Sequence, residues 1–140
     1  MNTSSNTFRC QLITPERAMF DDAVGFAAVT AHDGEIGFLP KRAPLICRLG
    51  LGELRVQTNG ETQHFFIDGG FAQMADDDFT VLTQRAMAPG DLDIGALRSE
   101  LDQARQEPVQ ADDGGAEQQR RIARLSAQIA FAERHGSKQK

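Results

Sequence analysis

Glu53-Leu54-Arg55-Val56-Gln57-Thr58-Asn59-Gly60-Glu61-Thr62-Gln63-His64-Phe65-Phe66-Ile67 is a strand, a two-residue turn and a returning strand. Leu54, Val56 and Thr58 alternate with Glu53, Arg55 and Gln57, the period of two that sets one face of a strand against a core. Asn59-Gly60 then supplies two residues that tolerate the positive φ of a type I′ turn. Residues 61–67 run back. A hairpin of this kind needs further strands to cover its apolar face, and the flanking sequence supplies them on both sides.

Toward the N-terminus, residues 43–49 and 24–30 have strand character. Between them lies a turn-rich segment, Ala31-His32-Asp33-Gly34-Glu35-Ile36-Gly37-Phe38-Leu39-Pro40. Residues 8–14 alternate Phe8, Cys10 and Leu12 with Arg9 and Gln11 and end at Thr14-Pro15-Glu16, where proline removes a ladder donor. Toward the C-terminus, Asp68-Gly69-Gly70 is expected to turn the chain into residues 71–74. Asp76-Asp77-Asp78 turns it again into residues 79–83. About seven or eight short strands with turns every 8–12 residues predict an antiparallel sandwich or barrel.

After Pro89-Gly90 the period changes. Asp91 or Asp93 is placed to cap a helix in which Ile94, Leu97, Leu101 and Ala104 share a face, and Pro108 closes it. Asp112-Asp113-Gly114-Gly115 reads as a loop. A second helix from about Ala116 aligns Ile122, Leu125, Ile129 and Ala132, with Arg120, Arg121, Arg124 and Arg134 largely off that face. The fold class is therefore mainly β with α. Residues 1–88 form an N-terminal β-sandwich or barrel, and residues 89–140 a C-terminal antiparallel two-helix hairpin whose last residues fray. Narrow apolar stripes on a Pro-Gly joint make the hairpin the part expected to move.

The 140 residues carry a net charge of -5 with acids and bases interspersed, so the basic stripe of a nucleic-acid binder is missing. No run approaches the roughly 20 apolar residues that span a bilayer. Met1–Thr7 lacks the basic and apolar regions of a secretory signal, giving a cytosolic reading in which membrane association runs through a partner. Cys10 and Cys47, the two cysteines, could pair but read as reduced, buried core thiols. The glycines form no phosphate-binding unit, and His32, His64 and His135 have no metal-ligand spacing. The β-region's serines lie in the N-terminal tail, away from any triad. Asp76-Asp77-Asp78 reads as a solvated turn. The expectation is a non-catalytic protein without cofactor or metal.

The segment from Val29 to Ile46 resembles the signature of the epsilon subunit of F-type ATP synthases, with Gly34-Glu35-Ile36-Gly37-Phe38-Leu39-Pro40 and Ala43-Pro44-Leu45 matching it. Leu12-Ile13-Thr14-Pro15-Glu16 with Met19-Phe20, Leu49-Gly50-Leu51-Gly52-Glu53-Leu54-Arg55-Val56, Gly69-Gly70-Phe71-Ala72-Gln73-Met74 and Phe79-Thr80-Val81-Leu82 follow in the family's order. The resemblance implies a central-stalk subunit on the cytoplasmic face of the bacterial inner membrane. Its sandwich would grip the gamma subunit and rest on the c-subunit ring, coupling ion translocation to ATP synthesis. Its hairpin, when extended, would reach the alpha and beta catalytic subunits and restrain hydrolysis. By the same resemblance, Gly34, Glu35, Gly37, Pro40 and Arg42 would face the c ring, and Arg120, Arg121 and Arg124 would make inhibitory contacts.

Two departures stand out. Lys41-Arg42 replaces the family's usual Gly-His, putting a permanent guanidinium where a titratable ring is common. In the Leu/Ile-Asp-x-x-Arg-Ala motif by which some members bind ATP, Leu92-Asp93 is present but Ala96 holds the arginine position. Arg98 comes two residues late, about 200° around a helix, so ATP binding by the chain alone is not expected. A different class of reading, a stand-alone small-ligand-binding β-barrel, requires a concave apolar pocket with converging polar groups.

Overall fold

A computed structural model describes residues 6–109 and 112–135. Two compact units divide the chain, Met1–Met87 and Ala88–Lys140, one residue before the division expected from sequence.

Among the described residues the first unit holds eight strands: β1 (Phe8–Ile13), β2 (Ala18–Val24), β3 (Phe26–Ala31), β4 (Gly34–Phe38), β5 (Leu45–Thr58), β6 (Glu61–Ala75), β7 (Asp78–Leu82) and β8 (Ala86–Met87). They pair in the order β2-β1-β7-β6-β5-β3-β4, with β8 joined to β6. Strands β4 and β7 are well apart in that order, yet the Phe38 and Phe79 rings lie 4.3 Å apart. Phe20 of β2 likewise meets Phe65 of β6 at 5.6 Å. The sheet is thus folded over on itself as a sandwich, filled by Leu12, Val29, Phe38, Leu54, Phe66, Met74 and Phe79. A barrel's ligand would need that space, and these side chains occupy it.

Sequence and structure differ at several places. Strands 43–49 and 53–58 are one 14-residue strand, β5, and 61–67 and 71–74 are one 15-residue strand, β6. Asp68-Gly69-Gly70 does not turn the chain back; it lies opposite Leu49-Gly50-Leu51, where Leu49 pairs with Gly70 and Leu51 with Asp68. Gly69 and Gly70 have φ of +72° and +107°. Glycine here bends two strands together from one layer to the other, as at barrel corners. A Cβ on Gly70 would stand 2.0 Å from the Leu82 carbonyl oxygen, so the bend also depends on close backbone approach.

Strand β2 has no counterpart in the sequence reading. It is an edge strand with exposed Asp21 and Asp22, and its polarity hides the alternation. Arg9 on the neighbouring strand donates to both carboxylate oxygens of Asp21, at 3.1 and 3.0 Å. That guanidinium holds the Asp21 carboxyl below its ordinary range. The turn-rich segment proves to contain strand β4, with His32-Asp33 as the turn between Ala31 and Gly34. One pair departs from the antiparallel expectation, since β1 runs parallel to β7. Asn59-Gly60 forms the expected turn, with φ of +44° and +84° between the paired Thr58 and Glu61.

Cys10 is buried, and its thiol is pushed up to about 12 by burial. Cys47 is half-buried rather than a core residue, because its strand lies at a layer's margin. Both are free thiols.

In the second unit a 3₁₀ turn, Pro89–Asp91, precedes α1 (Ile94–Gln106) and α2 (Ala116–Arg134). Asp93, not Asp91, caps α1 by accepting the Ala96 N–H at 3.2 Å. Helix α1 buries Leu97, Leu101 and Ala104, whereas α2 buries Leu125, Gln128, Phe131 and Ala132 and leaves Ile122 and Ile129 half-covered. The frayed tail expected at residues 136–140 lies outside the described residues.

Candidate functional site

The signature residues lie along β4, an edge strand of the sheet, and in the segment that follows it. Gly34 enters β4 with φ of +139°, open to glycine and unfavourable to other residues. Gly37 lies under the Phe26 ring, which a Cβ there would approach to 3.2 Å. Glu35 is exposed and accepts a hydrogen bond from Arg55 Nη1 at 3.2 Å, while the same guanidinium sits 5.5 Å from the Phe26 ring centre. The acidic residue of the signature is therefore paired with a cation of β5.

Beyond β4 the chain passes half-buried Pro40 and exposed Lys41 and Arg42. Lys41 has φ of +64°, and its backbone N–H donates to Asp77 Oδ1 at 2.7 Å. Arg42 lies over the Phe38 ring at 5.0 Å, a cation–π contact on a ring that is itself stacked on Phe79. Gly34, Glu35 and Gly37 thus lie along β4, and Pro40 and Arg42 follow it, a run that carries both charge signs.

A second surface escaped the sequence reading. On the outer face of β5, β6 and β7, Ile46, Phe71 and Leu82 are 67%, 53% and 51% exposed. Phe71 pairs directly with Leu82, and Ile46 with Gln73. Beside them is a shallow pocket of about 380 Å³ lined by Ile13, Pro15, Gly70, Phe71, Leu82 and Gln84. The signal was present: burying Ala72 and Met74 obliges Phe71 and Gln73 to face outward. Exposed apolar side chains gathered on one sheet face, here flanked by exposed Arg48 and Gln73, mark a candidate interaction site.

The arginines of α2 are not equivalent. Arg120 is exposed and Arg124 half-buried, while Arg121 is paired with Glu107 at 3.0 Å. Arg98 of α1 pairs with Glu133 of α2. Gln118 Nε2 donates to the Ala104 and Glu107 carbonyls at 2.8 and 2.9 Å, closing the C-terminal end of α1. At the start of α2, Asp113 accepts the Gly115 and Glu117 N–H groups at 2.9 and 3.2 Å, and these bonds hold its carboxyl below the usual range. With Asp93 engaged as a cap and Ala96 at the arginine position, α1 presents its own folding contacts in place of the nucleotide motif.

Residues 7–89 match the family model of the ATP synthase delta/epsilon chain β-sandwich domain. The chain belongs to the ATP synthase delta/epsilon family. It is 43% identical over 109 residues to the ATP synthase epsilon chain of Rhodopirellula baltica, covering 75% of this chain and 85% of that one. The epsilon chain of Xanthomonas euvesicatoria pv. vesicatoria is 34% identical over 134 residues, 92% of this chain and 94% of the relative, so that similarity extends through the hairpin. A chain in the cryo-EM structure of the Euglena gracilis mitochondrial ATP synthase, comprising OSCP, F1 and c-ring, superimposes with a TM-score of 0.78. At 21% identity, over 90% of this chain and 81% of that one, this likeness is one of fold. As an epsilon-type chain it is a non-catalytic subunit of ATP synthase, and the stand-alone ligand-binding reading gives way to membership of a complex.

Proposed function

We propose that the sandwich docks on the gamma subunit through the Ile46–Phe71–Leu82 face and presents residues 34–42 to the c-subunit ring. The observation that carries this reading is the exposed Phe71–Leu82 pair, continuous with an apolar pocket on a rigid sheet. Such a face supplies affinity by burial, at about 25 cal/mol per Å² before association costs. The loop supplies polar contacts of defined direction, since Glu35 is held by Arg55 and Arg42 by Phe38. The hairpin serves as the regulatory element, its Arg120, Arg121 and Arg124 meeting acidic segments of the alpha and beta subunits when the helices extend. Among the described residues no helix is long and apolar enough to cross a membrane. Attachment to the cytoplasmic face of the bacterial inner membrane runs, in this proposal, through the partners, and no nucleic acid is involved.

The test is gel filtration of the full chain with gamma. Replacing Phe71 and Leu82 together by aspartate should abolish co-elution while circular dichroism and the urea midpoint show an intact sandwich. Retained co-elution of a folded double variant would remove this face from the interface.

A further inference from the structure

The peptide unit of Lys41 poses a problem that the loop itself does not solve. An L-residue bearing a long side chain sits at φ of +64°, a region that residues with a Cβ enter rarely. The contact that balances it comes from far along the chain. Asp77, 36 residues away, accepts the Lys41 N–H through Oδ1 at 2.7 Å. Asp77 is itself fixed from the other side, because its carbonyl accepts the Arg9 N–H at 3.0 Å. It stands in the two-residue turn between β6 and β7, where Asp76 and Asp77 have φ of +53° and +60°, and that turn aims its carboxylate at the loop. The next residue after Lys41 is Arg42, whose guanidinium is laid on Phe38 at 5.0 Å.

We propose that Asp77 is a positioning residue for the partner-facing loop: its carboxylate holds Lys41 in the left-handed conformation and thereby sets the direction in which Arg42 is presented. The proposal rests on the reading of residues 34–42 as the surface that meets the c ring. Asp77 touches no partner in this scheme. It acts through a backbone N–H, and the requirement for it arises from the side chain at position 41. Glycine at that position would adopt the same φ without strain, so it should make Asp77 dispensable.

That dependence gives a test on the full-length chain, with two readouts: the backbone amide at position 41 by NMR, and titration onto a detergent-solubilised complex of gamma with the c ring. Asp77→Gly removes the carboxylate while still accommodating positive φ at 77. It should shift the Lys41 amide upfield, speed its exchange and weaken binding by about tenfold, the scale of one charge-assisted hydrogen bond. Asp77→Asn, which keeps an acceptor oxygen, should restore binding to within about twofold. Adding Lys41→Gly to Asp77→Gly should do the same. An unchanged Lys41 amide in Asp77→Gly overturns the positioning role. A Lys41→Gly/Asp77→Gly double variant as weak as Asp77→Gly alone also overturns it, since Asp77 would then act by direct contact or general stability. If the amide responds as expected but neither Asp77→Gly nor Arg42→Ala alters binding, the loop is not the partner surface and the functional half of the proposal falls.

Discussion

Val24, Leu54, Val56, Phe66 and Ile67 have no exposed surface, and the sheet that holds them joins residues far apart in sequence, as Leu12 to Val81 and Val29 to Leu54. In the hairpin, α1 buries three of its thirteen residues, and the pairs Arg98–Glu133 and Arg121–Glu107 lie at the surface. Exposed pairs of this kind contribute little, about 0–1 kcal/mol each. The contrast separates a frame whose stability is shared across a sheet from an element whose stability is local. Parts that reorganise are drawn from the second sort.

The largest expected effect is on the frame. Gly70→Val combines φ of +107° with a Cβ 2.0 Å from Leu82 O and 2.9 Å from Thr83 Cα. It should destabilise the sandwich by about 4 kcal/mol or more, in the range reserved for strain and overpacking together. A urea curve that keeps its midpoint would show that β5 and β6 do not bend there as described. Next comes a matched pair of truncations, each about 2–5 kcal/mol by loss of a buried leucine. Leu54→Ala should lower amide protection throughout the β-strands, whereas Leu101→Ala should lower it in α1 and α2 only. Equal loss of protection in both units after Leu101→Ala would break the comparison.

The smallest effect is a pH step confined to the hairpin. Because the Gly115 and Glu117 N–H groups lower the Asp113 carboxyl, its contribution is present in full above the ordinary carboxylate value of about 3.9. It is lost as pH falls through the depressed folded value. The first turn of α2 should therefore fray on acidification, followed as amide shifts of Gly115 and Glu117 between neutral pH and the acid range. Asp113→Ala should be frayed at every pH and show no step there. An acid step surviving in that variant would assign it to another group.

What the sequence disclosed follows the range over which each feature is determined. The Asn59-Gly60 turn, the cap of α1, narrowed to Asp91 or Asp93, and the apolar stripe of α1 are local, and all three were readable from neighbouring residues. The bend at Gly50 and Gly69-Gly70 was not, because glycine that bends a strand and glycine that ends one look alike until the partner strand is known. Strand β2 was hidden by edge polarity. The loop residues 34–42 were legible by resemblance alone, since a Gly-Glu-Ile-Gly run has no chemistry that names its partner. Asp77 reads as part of a solvated turn because its hydrogen-bond partner lies 36 residues upstream. The outer face through Phe71 was within reach of residues 71–74 alone, where Ala72 and Met74 are buried and Phe71 and Gln73 face outward.

The parallel pairing of β1 with β7 also bears on how the molecule is made. Of the described strands β1 is made first, yet one of its two neighbours ends at Leu82. Until that strand emerges, β1 has β2 alone beside it and one edge without its partner, an exposed state that invites wrong pairing. Closure of the sandwich is thus a late event in synthesis, slow in the manner of long-range pairing. The seven-strand path therefore joins the first described strand to one that ends at Leu82, and neither half of the sandwich is complete until both are present.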